Sequence, residues 1–153
     1  MQKVSHKLLI ISISSPIQLA VYRDNILIDT ISSDKKTSQI LLPLIMEFLD
    51  KYPISQIIYT HGPGSYMSIK LTYIILRTIE IVRDIDFVGA IGFEFNNNQP
   101  IKALGNLYFT KEKNQIITQK FDKKLDVKFK IPQNIDNIDI STTKEPLYIL
   151  PAL

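Results

Sequence analysis

"IIYTHGPGSYMSIKLTYIILRTIEIVRD", Ile57 to Asp84, reads as a buried strand, a tight glycine turn and a long apolar helix. The strand is expected over Gln56 to Tyr59, the turn at His61 to Gly64, and the helix from about Ser65 to Arg83. Gly62 and Gly64 open backbone conformations closed to other residues, and Pro63 stiffens the turn. Ser65 is placed to cap the helix. Free N–H groups at such a turn can receive an anion. The known phosphate signatures are incomplete, however: the spacing and lysine of G-x-x-x-x-G-K-[ST] are missing, and G-x-G-x-x-G fails at Met67. The turn is therefore expected to aim the helix rather than to hold a nucleotide.

The apolar residues of that helix nearly encircle its axis: Met67, Ile69, Leu71, Ile74, Ile75, Leu76, Ile79, Ile81 and Val82. One stripe is enough to pack on a sheet. The surplus predicts a second buried face, against another helix or another chain.

Upstream, Leu8 to Ser14 reads as a central strand buried on both faces, broken by Pro16. Ile17 to Arg23 and Ile26 to Ile31 flank Asp24-Asn25, a hairpin signal. In Thr37 to Lys51, Ile40, Leu41, Leu44, Ile45, Phe48 and Leu49 fall on one helical stripe. Asp34 or Thr37 is expected to cap it, and Pro43 predicts a kink or a late start. Downstream, Asp86 to Ala90 reads as a fifth strand. After the loop Asn96 to Pro100, short strands are expected at Leu104 to Thr110, Asn114 to Phe121, Val127 to Ile131 and Leu147 to Leu150. Residues 1–95 are thus expected to form an α/β lobe and residues 96–153 a reduced, β-rich second lobe.

The order βββαβαβ predicts an α/β fold, a mixed sheet flanked by helices. Three antiparallel strands followed by crossover helices is the ribonuclease H-like pattern, shared by actin-like ATPases and kinases. In actin-like kinases an aspartate at the exit of the first strand helps to hold the magnesium of ATP. Ser12 and Ser14 stand there instead, and hydroxyls are poor ligands for a hard cation. Asp29 and Glu94 form no converging acidic pair, so an autonomous ATPase or nuclease is not expected.

The chain has 153 residues, enough for one ordinary domain or two very small ones. It has no cysteine, which excludes disulfides, zinc-thiolate sites and thiol catalysis. The net charge of +3 permits contact with nucleic acid without requiring it. The lysines from Lys111 to Lys130 read either as the solvated face of a β-ribbon or as an RNA-facing surface. His6 and His61 are the only histidines, and neither has a carboxylate at ligand spacing, so no metal is expected. His61 and Ser65 are too close in sequence to make a triad, and G-x-S-x-G is absent. His61 is expected to be a strand-end residue bonded to a loop. The run Leu8 to Ser14 is too short for a membrane span, so a soluble, cytoplasmic protein is expected.

At "GPGSYMSIKL", Gly62 to Leu71, the chain resembles the G-P-G-S-F-T-G-L-R-I signature of the TsaB family, also called YeaZ. Gly62, Pro63, Gly64 and Ser65 match outright. Tyr66 stands for Phe, Ile69 for Leu and Lys70 for Arg, while Met67 and Ser68 depart. "TSQILLPLI", Thr37 to Ile45, is similar to H-S-E-x-L-L-P-L-I, and "DFVGAIGFE", Asp86 to Glu94, to P-L-V-G-V-S-S-L-E. "LLIISISSP" sits where the family reads L-A-I-D-T-S-T-P, with Ser12 replacing the aspartate. "EPLYILPAL" looks like the closing P-x-Y-L-R. The family's D-A-R segment is missing near Ala103.

The resemblance implies a two-lobed actin-like fold without catalytic power of its own. It implies a non-catalytic scaffold that pairs with TsaD, the metal-bearing subunit that transfers threonylcarbamoyl to adenosine 37 of tRNA, with the ATPase TsaE as a third member. Nucleotide, ATP or ADP, is then expected only at the complex interface, and tRNA only through the complex. In the family two helices form the partner interface. Leu41, Ile45, Tyr66, Met67, Lys70, Tyr73 and Arg77 are the contact candidates here, and a homodimer is open to the chain when alone. Two other readings remain: a small ATP-dependent or glycoprotease-like enzyme of this fold, and a free-standing tRNA-binding module.

Overall fold

The computed structural model describes residues 4–141 and 143–149. Its first sheet has β1 (His6–Ile11), β2 (Ile17–Arg23), β3 (Ile26–Ser33), β4 (Gln56–Gly62), β5 (Asp86–Ile91) and β9 (Ile140–Ser141). The strand order is β3-β2-β1-β4-β5-β9. β1, β2 and β3 form an antiparallel meander, β4 and β5 run parallel to β1, and β9 closes the edge antiparallel to β5. Helices α1 (Thr37–Lys51) and α2 (Tyr66–Arg83) are the crossovers. This is the mixed sheet and the element order expected from sequence.

Alternation along the strands divides the core. Leu8, Ile10, Leu19, Val21, Ile57 and Tyr59 face one side, where α1 and α2 bury Leu41, Leu44, Ile45, Phe48, Leu76 and Ile79 against them. Leu9, Ile11, Ala20, Tyr22 and Ile58 face the other, beneath Phe93, Phe95, Ile101, Phe109 and Ile135. A second, antiparallel sheet supplies part of that cover: β6 (Ile101–Leu104), β7 (Leu107–Glu112) and β8 (Gln115–Lys120). Residues beyond 95 therefore share a core with the first sheet, and β9 joins it outright. Residues on both sides of position 95/96 thus pack into one shared cluster.

Several local expectations change. β1 stops at Ile11, because the Ser12 amide turns to Thr60 Oγ1 at 3.4 Å instead of continuing the ladder. α1 starts at Thr37 and runs unbroken through Pro43, so there is no late start. Neither Asp34 nor Thr37 caps it: the cap position is Lys36, without a side-chain bond. Thr37 Oγ1 lies 3.0 Å from Ser68 Oγ on α2 and ties the two helices together. The strand expected at Leu104–Thr110 is a hairpin, with its turn at Gly105-Asn106. Val127 to Ile131 alternates as a strand would, yet no ladder forms there. Its backbone is held piecemeal: the Lys130 amide donates to the Phe95 carbonyl at 2.7 Å, and Gln18 Nε2 donates to the Phe129 carbonyl at 3.0 Å. Leu147 to Ile149 is likewise extended without being a strand, and Leu150 lies outside the described residues. Among the described residues no helix is long and apolar enough to cross a membrane.

Candidate functional site

The glycine turn is buried from His61 to Gly64. Gly62 has φ +140° and Gly64 φ +156°, conformations that L side chains rarely adopt. A Cβ at Gly62 would lie 2.3 Å from the Leu147 carbonyl oxygen, and one at Gly64 would lie 2.8 Å from Ile13 Cβ. Both glycines are thus required by close neighbours of the chain itself. Ser65 caps α2 as expected, accepting from the Ser68 amide at 3.4 Å.

The neighbour at Gly62 is a strap, residues 143–149, that passes the end of β4 and runs along α2 from Glu80 back to Tyr66. The Leu147 amide donates to the His61 carbonyl at 2.7 Å. Tyr59 donates its hydroxyl to the Lys144 carbonyl, and Tyr66 donates its own to the Ile149 carbonyl. Tyr73 donates to a Glu145 carboxylate oxygen at 2.9 Å. Lys144 pairs with Glu80 and with Asp86, the latter at 2.6 Å. His61 is buried with Nδ1 3.0 Å from the Glu145 carbonyl, so Nδ1 carries the proton. His61 is the loop-bonded strand-end residue expected from sequence. Among the described residues its Nε2 is buried without a partner.

Burial pushes the His61 pKa below its ordinary 6.5, against the smaller opposing effect of the Glu145 carbonyl. The folded chain therefore resists a proton that the unfolded chain accepts. This contribution to stability is present above the unfolded pKa and is lost as pH falls through and below it. Urea midpoints are expected to drop between pH 7.5 and pH 5.5. His61→Gln should flatten that dependence, and an equal drop in the variant would remove His61 as its cause.

The outer face of α2 carries a regular apolar stripe. Met67, Ile74 and Ile81, seven residues apart, are 78%, 50% and 78% exposed. Such spacing keeps side chains on one helix face. Lys70 and Thr78 are exposed along the same face, and Leu42 of α1 is exposed too. The contact candidates divide accordingly. Leu41 and Ile45 are fully buried against the sheet and are corrected from surface to core. Tyr66 and Tyr73 are half-buried and bound to the strap. Arg77 is exposed and pairs with Glu80 at 2.9 Å. Met67 and Lys70 stay on the open face, where Ile74 and Ile81 join them. The seven-residue spacing was the signal for those two.

A cavity of about 470 Å³ lies at the N-terminal ends of both helices, lined by Ser12–Ser15, Asp34–Ser38, Ser65, Met67 and Ser68 among others. Its hydroxyls, Lys35 and Lys36 suit an anion better than a cation. Ser12 does not serve as an open ligand: it is buried, and its Oγ lies 2.8 Å from Thr72 Oγ1, which in turn donates to the Ser68 carbonyl. Ser12 thereby ties the end of β1 to α2. Among the described residues no group of three or more His, Cys, Asp or Glu gathers at metal-binding range.

No family model and no curated protein matches the chain. Solved structures do. YeaZ from Pseudomonas aeruginosa superimposes with a TM-score of 0.59 at 11% identity, over 76% of this chain and 65% of that one. An uncharacterised protein with similarity to peptidase YeaZ from Pseudomonas aeruginosa superimposes with a TM-score of 0.60 at 10% identity, over 88% of this chain and 73% of that one. This chain thus spans just under two thirds of the first of these proteins. At such identity the likeness is one of fold, and the chain has the actin-like, mixed-sheet fold of YeaZ.

Proposed function

We propose that this chain is a non-catalytic partner subunit of the TsaB kind, acting in threonylcarbamoyladenosine modification of tRNA. It docks on a TsaD-type subunit through the outer face of α2. The observation that carries this reading is the exposed stripe Met67–Ile74–Ile81 on a fold like that of YeaZ. A standard interface needs about 800 Å² per partner, with an apolar centre and a polar rim. The stripe supplies a centre, and Lys70 with Arg77 supplies rim charges. On this reading TsaE is the third member, tRNA is met through the complex, and the assembly works in the cytoplasm. A nucleotide phosphate has its place at the edge of the interface, in the helix-end cavity that Met67 also lines.

The test is complex formation with the host's TsaD, followed by size-exclusion chromatography with light scattering. A one-to-one complex is expected at micromolar concentration. Ile74→Asp is expected to weaken it at least ~30-fold, as loss of a central interface anchor does. Circular dichroism of the variant should remain that of the wild type. Absence of a wild-type complex at micromolar concentration would sink the reading.

A further inference from the structure

The positive charge of this chain is segregated. Residues 99–132 hold eight lysines against three acidic residues, +5, while the whole chain is +3, so the remaining residues carry −2. All eight lysines are exposed, and none makes an ion pair among the described residues. A surface that served solubility alone would mix both signs. A one-sided field of this kind draws a polyanion.

The fold gathers part of that charge at one place. Ile101 and Phe109 of the second sheet face the core, so Lys102 and Tyr108, paired across β6 and β7, face away from it. After β8 the segment 121–125 turns back over that outer face. The Phe121 amide donates to the Asn106 carbonyl at 3.0 Å, and the Leu125 amide donates to the Tyr108 hydroxyl at 3.0 Å. The Phe121 ring packs edge to face on Tyr108, with centroids 5.3 Å apart. Lys123 and Lys124 are thereby fixed beside Lys102. The three lysines, with Asp122, Asn106 and Gly105, line a cavity of about 170 Å³. It shares no lining residue with the helix-end cavity. Three lysines against one aspartate leave it positive. The Gly105-Asn106 turn leaves it open, since a Cβ at Gly105 would meet nothing within 4 Å.

The surroundings select among polyanions. Among the described residues 99–132, Leu104 is the only large apolar side chain that is exposed. An anionic membrane is held by inserted apolar side chains as well as by charge, and a protein partner needs an apolar centre. This face supplies neither. A phosphodiester backbone asks only for cations and polar donors.

We propose that the lysine-rimmed cavity holds a phosphate of a nucleic-acid strand, with the surrounding lysines on its neighbours along the backbone. The contact is electrostatic and reads no sequence. It does not need TsaD, so the full chain alone is the sample.

The test is fluorescence anisotropy with a labelled RNA of about ten nucleotides, and with DNA of the same sequence. Binding tighter than about 100 μM is expected at 50 mM salt, as for sequence-independent contacts. Three contacted phosphates should make the affinity fall roughly 20-fold between 50 and 200 mM salt. Lys102→Gln, Lys123→Gln and Lys124→Gln together should weaken binding at least ~10-fold and flatten the salt dependence. Asp122→Asn should tighten it about 2-fold, by removing the one repulsive charge. Arg23→Gln with Arg83→Gln, which removes two positive charges elsewhere, should change it less than ~3-fold. All six of these residues are exposed, so circular dichroism of the variants should match the wild type. Binding of either strand meets the expectation, and binding of the RNA alone makes the ribose 2′-hydroxyl part of the contact. No binding at about 100 μM in low salt, or a triple-lysine variant that binds as the wild type does, would overturn the proposal. Equal binding of phosphatidylserine vesicles or of polyglutamate would overturn it too, because the surface would then attract any polyanion.

Discussion

Gly62→Ala lowers the unfolding free energy by about 2–4 kcal/mol, read as a fall in the urea midpoint at unchanged slope. Two effects add. Gly62 holds φ +140°, where a residue with a Cβ is strained by roughly 1–3 kcal/mol. The new Cβ would also stand 2.3 Å from the Leu147 carbonyl oxygen. That oxygen cannot easily retreat, because the Leu147 amide is bonded to the His61 carbonyl on one side and Tyr66 holds Ile149 on the other. Relief requires the strap to lift, which breaks the Glu145–His61 and Lys144–Tyr59 hydrogen bonds as well. Each such bond is worth about 1 kcal/mol net. Faster proteolysis of the strap should accompany the loss. A variant with the wild-type midpoint would mean that the strap does not seat on Gly62.

The meander, both crossover helices and their order were legible because each signal was local. β2 is a short apolar run beside a hairpin turn and α1 carries a 3.6-residue stripe, both complete within their own spans; β2 keeps the bounds expected, and α1 spans Thr37–Lys51 despite Pro43. The strap was not legible as a strap. Leu147 to Ile149 has the composition of a strand, but its backbone finds one carbonyl of β4 and the hydroxyls of distant tyrosines, and no local pattern encodes those partners. Val127 to Ile131 failed for the same reason, with a side chain of β2 taking the place of a neighbouring strand. The turn reading held for a reason absent from its sequence: the glycines make room for Leu147 and Ile13, far away along the chain. On α2 the apolar surplus was visible in composition. Which residues of the pair stay outside depends on where the sheet and the strap lie, and that separated Ile45 from Ile74.

That separation sets the largest expected effect. Ile45→Asp should unfold the chain or strip it of more than ~4 kcal/mol, whereas Ile74→Asp should leave the thermal midpoint within a few degrees. Ile45 is fully buried in the apolar cluster that also holds Leu8, Val21 and Phe48. A carboxylate there must give up its hydration without a partner, or take a proton to stay neutral, and either is expensive. A domain of this size has only about 5–15 kcal/mol in total. Ile74 is half-exposed, so its carboxylate stays in water and the fold scarcely notices. What Ile74→Asp removes is the apolar centre of the stripe, between Met67 and Ile81. Thermal melts followed by circular dichroism, paired with the TsaD binding assay, separate the two. A cooperative melt of Ile45→Asp at the wild-type temperature would return Ile45 to the surface and reverse the packing of α1. Ile74→Asp that binds TsaD as the wild type does would move the contact off the outer face of α2. Loss of binding without loss of fold in Ile74→Asp alone is the pattern that a docking helix, and not a core helix, must give.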